Sequence, residues 1–130
     1  MIIIGHDLVA FKPFYKIKNS DEIAKTPSNS IVAFEFENSK DIIRFCQKNG
    51  VNFAVEAKTT KEALLSNAAG ASYIITNSKK AAKQIQNLAE QYLFDAKILL
   101  KIKDENEMEE VAKDGIDGVL LPQGVANGSF

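Results

Sequence analysis

Three groups of residues in this sequence have types and spacings that chemistry uses. Lysine stands beside a hydroxyl or amide at Asn38-Ser39-Lys40, Lys58-Thr59-Thr60-Lys61 and Asn77-Ser78-Lys79-Lys80, each where a strand-like run gives way to a helix-like one. Ser39, Thr59 and Ser78 fit helix caps, contributing about 1 kcal/mol each by satisfying orphan N–H groups. Capping leaves the lysines unexplained, because a cation at a helix N-terminus opposes the macrodipole. Lys40, Lys58, Thr59, Ser78 and Lys79 together suit a small anionic or phosphorylated metabolite, with N–H groups and ammoniums converging on it. The plainer reading is solvated surface lysine.

Carboxylates form the second group. Glu35, Glu37 and Glu56 would make a Mg²⁺ or acid/base cluster if their strands are neighbours, and otherwise an outward polar face paired with Lys101 and Lys103. Candidate catalytic residues make up the third: Lys101, Glu56 and His6. An interior Lys101 is the kind of amine that forms a Schiff base, with Glu56 as acid or base. His6, in Gly5-His6-Asp7, follows the run Ile2–Ile4 and would act as acid, base or anion donor from a strand end; a loop histidine with a local hydrogen bond is the simpler alternative. Cys46 belongs to an apolar helical stripe and reads as core.

Composition limits what else is open. The chain has 130 residues, 45% of them hydrophobic, and a formal charge of −1, so it fits one α/β domain over residues 1–130 and no bulk-charge nucleic-acid binder. One Cys and one His exclude an intrachain disulfide and a Cys/His zinc site within one chain; no metal site is assigned. No Gly-rich dinucleotide or nucleotide-phosphate fingerprint occurs, and no cofactor is assigned. Met1-Ile2-Ile3-Ile4 is too short for a signal peptide, and no apolar run is long enough for a bilayer, so the expectation is a cytoplasmic protein without membrane contact.

The elements that must position these groups alternate. Helix patterns cover about 39–49, 60–69, 78–93 and 105–114, with Gly50, Gly70 and Gly115 as left-handed stops for three of them. Strand patterns cover Ile31–Phe36, Phe53–Ala57, Tyr73–Thr76, Ile98–Ile102 and Val119–Leu121. Residues 51–70 and 96–115 share a layout of strand, capping box (Thr59 with Glu62, Asp104 with Glu107) and closing Gly, a repeat of about 45 residues or two βα units. The first 30 residues are irregular, with short strands at Ile2–Ile4 and Tyr15–Ile17 and a helical turn at Ser20–Ile23. The tail from Gln123 is turn-rich, either a frayed end or a phosphate loop.

Such alternation gives about five βα units and a mostly parallel sheet. Two architectures fit. Length favours a flavodoxin-like open sheet. Alternating faces favour a partial βα barrel, with Glu35, Glu56 and Lys101 turned inward. A half barrel would expose its inner face and dimerise to cover it.

The stretch Glu62 to Ile75, then Ala96 to Leu100, then Met108 to Val119 with Pro122, resembles successive βα units of TIM-barrel aldolases of the 2-keto-3-deoxy-phosphogluconate type. That resemblance spans about half the chain and implies a barrel-like fold with ligands at the strand carboxyl ends. A receiver domain has the right size, but its acidic pair and phospho-acceptor have no match. The functional expectations are binding of a small anionic metabolite, a lyase or isomerase using Lys101 and Glu56, or a non-catalytic homo-oligomeric interaction module.

Overall fold

The computed structural model describes residues 1–128. Its strands are β1 (Ile2–Ile4), β2 (Phe14–Lys16), β3 (Ile31–Glu35), β4 (Phe53–Glu56), β5 (Tyr73–Thr76), β6 (Lys97–Lys101), β7 (Gly118–Leu120) and β8 (Val125–Asn127). Four α-helices, α1 (Lys40–Asn49), α2 (Thr60–Ala68), α3 (Lys79–Gln91) and α4 (Met108–Lys113), follow β3 to β6 in turn. Short 3₁₀ turns at Ser20–Lys25, Glu105–Glu107 and Pro122–Gly124 complete the chain. Gly50, Gly70 and Gly115 have φ of 65°, 101° and 73°, as expected of helix stops.

All pairings are parallel, in the order β1-β7-β6-β5-β4-β3-β2-β8. The run from β3 to β7 never reverses. A doubly wound open sheet needs a reversal to bring helices to both faces, so the flavodoxin-like alternative falls. Successive right-handed crossovers in one direction keep the helices on a single face, and the sheet curls away from them. The result is a half-barrel, with four βα units carrying helices where a full barrel has eight.

Strand parity separates two layers. Outward residues such as Val32, Phe34, Phe53 and Val55 meet Ile42 and Cys46 of α1, while Ile74, Ile98, Leu100 and Val119 meet Ala82, Ile85 and Val111 of α3 and α4. Inward residues Ile4, Phe14, Ile31, Ala33, Ala54, Ile75, Leu99 and Leu120 form a third cluster inside the curl. Phe14 and Tyr73, on strands three apart, touch there with ring centroids 5.3 Å apart. The inner face is thus filled by the chain's own side chains, which removes the reason given above for a covering second subunit.

The two ends of the sheet also meet. A Cβ on Gly5, just past β1, would lie 2.5 Å from the nitrogen of Gly124, just before β8, and one on Gly124 would lie 2.8 Å from Ile4 Cγ2. Only glycine permits that approach. The tail from Gln123, expected as a frayed end or phosphate loop, instead forms a turn and β8; Ser129 and Phe130 lie outside the described residues. Asn127 secures β8, its Oδ1 accepting from the Lys16 nitrogen at 2.7 Å and its Nδ2 donating to the Lys16 carbonyl at 2.9 Å.

Candidate functional site at the strand carboxyl ends

One rule builds the mouth of the curl. Inward apolar residues Phe14, Ala33, Ala54, Ile75 and Leu99 belong to one inner cluster, and the residues two positions on, which share their face, are Lys16, Glu35, Glu56, Asn77 and Lys101. The register shows the shared face and staggers the levels: Lys16 pairs with Ala33, Glu56 with Glu35 and Ile75, and Lys101 with Leu120. The same step leads from Ile4 to His6 and from Leu120 to Pro122. Below this level the interior is apolar, and at it the interior turns charged.

Glu56 is the buried member, at 5% exposure. Asn77 Nδ2 donates to its Oε1 at 2.6 Å, a charge-assisted bond that fixes the carboxylate's orientation. Asn77 and Lys101 line a cavity of about 340 Å³, completed by Lys103 and the apolar residues Leu120, Leu121, Pro122 and Val125 among others. Glu35, Glu37 and Glu56 line a neighbouring recess of about 250 Å³ with Lys58 and Glu62. The Asn77–Glu56 bond joins the linings of the two. A third hollow of about 600 Å³, which includes His6 and Glu105, shares Lys103, Leu121 and Pro122 with the first.

The expected anion-site residues separate. Lys40 lines an outer groove between α1 and α2, beside Arg44 and Leu65. Lys79 pairs with Glu110 at 2.5 Å, and that hydrogen bond raises the pKa of its ammonium. Lys58 stays at the mouth, where its backbone N–H donates to Glu62 at 2.9 Å. Thr59 and Ser78 cap α2 and α3, accepting from the nitrogens of Glu62 and Ala81. Ser39 makes no side-chain cap bond to α1 and donates instead to the Phe36 carbonyl. The three helix-start lysines therefore do not converge on one ligand.

Of the expected catalytic residues, Glu56 and Lys101 face the same interior. His6 lies at the rim with both ring nitrogens engaged. Nδ1 accepts from the Leu8 nitrogen at 3.1 Å, so the ring N–H is on Nε2, which contacts Glu105 at 2.5 Å. Among the described residues, no three His, Cys, Asp or Glu gather so as to hold a metal ion, which leaves the conditional Mg²⁺ reading of Glu35, Glu37 and Glu56 without support. Cys46 is 1% exposed, and burial pushes its thiol up to about 11. The sequence reading named Asn77 only as a helix-start amide; continuing strand parity past Ile75 puts it on the inward face.

No protein-family model matches the chain, and no curated protein matches it. Among described residues no helix is long and apolar enough to cross a membrane. Among solved structures, the fold is similar to that of N-acetylmannosamine-6-phosphate 2-epimerase from Clostridium perfringens, a TIM-barrel-type enzyme, with a TM-score of 0.61 and 14% identity. The alignment covers 82% of this chain and 55% of that one, so the chain spans about half the length of the enzyme it resembles. The likeness to aldolases thus holds at the coarser level: a half-barrel parallel α/β fold similar to a TIM-barrel-type enzyme.

Proposed function

We propose that the mouth binds a small phosphorylated or otherwise anionic metabolite and that Glu56 and Lys101 perform isomerase- or lyase-type proton chemistry on it. One observation carries this reading. Glu56 is 5% exposed, is oriented by Asn77 at 2.6 Å, and shares with Lys101 the inward face of the sheet at its carboxyl ends. Burying a carboxylate costs stability unless it is hydrogen-bonded. A carboxylate so held is placed to take a proton from carbon next to a carbonyl. The C–H electron pair then forms a carbon–carbon double bond as the carbonyl π pair moves onto oxygen, whose negative charge the Lys101 ammonium stabilises. A proton delivered to the opposite face from solvent, with Glu56 giving its own proton up to solvent, completes an epimerisation. Lys101 and Lys103 in one cavity supply positive charge for the substrate's anionic group. The solved neighbour's name, a 2-epimerase of a sugar phosphate, supports the same class.

Deuterium exchange tests this. Hexose and N-acetylhexosamine 6-phosphates are incubated with the protein in D₂O and followed by proton NMR. Loss of the C–H signal beside the carbonyl is expected, slowed about a hundredfold or more by Glu56→Gln and Lys101→Met. Absence of exchange, with no resonance shift at Lys101 or Lys103 on adding the phosphates, overturns the reading. Borohydride trapping of Lys101 with keto-acid substrates separates a Schiff-base lyase from direct proton transfer.

A further inference from the structure

We infer that the groove between α1 and α2 is a second ligand site, separate from the mouth, for a small phosphate monoester with an apolar body. The groove holds about 440 Å³, within the range of small-molecule sites. Its walls are of two kinds. Phe36, Ile43, Leu65 and Ala69 give apolar surface, and Leu65 is left 48% exposed. Lys40 and Arg44, one turn apart on α1, give two cations, and no carboxylate lines the groove. Neither cation has an ion pair among the described residues. Elsewhere on the helix shell Lys79, Lys83 and Lys113 are matched to Glu110, Asp114 and Glu109. The positive charge over the groove is therefore uncompensated.

Two charges of one sign beside an apolar floor define the occupant. A phosphate monoester brings a doubly charged head to meet them, and the Arg44 fork matches phosphate oxygens in pairs. The first turn of α1 adds donors. Ser39, 4% exposed, turns its hydroxyl to the Phe36 carbonyl, so α1 lacks the side-chain acceptor that Thr59 and Ser78 give to α2 and α3. N–H groups left open in this way favour an anion. The ligand's apolar body covers Ile43, Leu65 and Ala69, surface that a bare phosphate would leave in water. Gln47 Nε2 donates to the Ala69 carbonyl at 2.9 Å and ties the two helices together at the far end. Phe36 links this site to the mouth. It lines both the groove and the recess of Glu56, and its N–H donates to the Glu56 carbonyl at 3.1 Å. A ligand seated in the groove therefore touches a residue bonded to Glu56, from the helix side of the sheet.

The full chain is titrated with phenyl phosphate, inorganic phosphate and benzyl alcohol while backbone amides and the Arg44 side-chain N–H are followed by NMR. Expected are saturating shifts at Arg44, Ile43 and Leu65 with phenyl phosphate, about tenfold weaker binding of inorganic phosphate, and no binding of benzyl alcohol. Arg44→Gln and Lys40→Gln, both at exposed positions, should each weaken phenyl phosphate about tenfold. The Glu56 amide should shift along with them, through Phe36. Phenyl phosphate that leaves Arg44 and Ile43 unmoved, or that is matched by inorganic phosphate or by benzyl alcohol, overturns the inference. Shifts at Arg44 without one at Glu56 keep the site and strike its link to the mouth. The unaltered chain's own Arg44 signal decides the matter even if a variant does not fold. Glucose 6-phosphate, read at Lys101 and Lys103, reports on the mouth separately, so either reading can fail alone.

Discussion

The two ends of the half-barrel use polar side chains in opposite ways. At the amino ends of the strands they are spent on one another. Asp117 accepts from the Ile98 nitrogen at 2.9 Å and from Gln86 Nε2 at 3.1 Å, and Gln86 Oε1 accepts from the Asp117 nitrogen at 3.0 Å. The Asp117 carbonyl accepts from Ile2, and Asn67 Oδ1 accepts from Ala96, so α2, α3, β1, β6 and β7 are tied together. At the carboxyl ends, Glu35 and Glu56 line one recess and Lys101 and Asn77 another, with Asn77 steadying Glu56. Polar groups closed on each other hold a fold, whereas polar groups aimed at a hollow are available to a ligand.

The largest effect should come from exchanging one residue at each end. Asp117→Ala removes the acceptor of two bonds and leaves the Nε2 of Gln86, a residue 5% exposed, without its acceptor. It should cost about 3 kcal/mol in urea unfolding. Glu56→Gln, a near-isostere at the mouth, should cost less than about 1 kcal/mol while stopping exchange. Equal losses from both would erase the distinction between the ends. A smaller effect lies at the amino end, where Leu93 ends α3 with φ of 53° and 84% exposure. Leu93→Gly should raise stability by about 1 kcal/mol, because glycine adopts the left-handed conformation without strain. The smallest effect concerns the wall between the ends. Cys46, with its thiol pushed up to about 11 by burial, should resist iodoacetamide in the native state at pH 8 and react only on unfolding. The sign follows from the unfolded chain ionising first: stability from the neutral thiol is intact below pH about 9 and falls as pH climbs toward 11.

Much of this was legible before folding. The helices after β3 to β6 follow from apolar periodicity and glycine stops, and alternation in Glu35, Glu56 and Lys101 marked the inward face. What could not be read was closure. Strand order is a long-range property, and three-residue strands such as β1, β2 and β8 carry too little periodicity to announce themselves. The helix-start lysines misled because local sequence cannot show that Lys79 reaches Glu110 on another helix.

The contact of Phe14 with Tyr73 has a consequence for traffic. With those rings plugging the interior, the half-barrel is a blind well and not a conduit. On the proposed reading, a molecule that enters at the carboxyl end leaves by the same door, so substrate and product would share one passage.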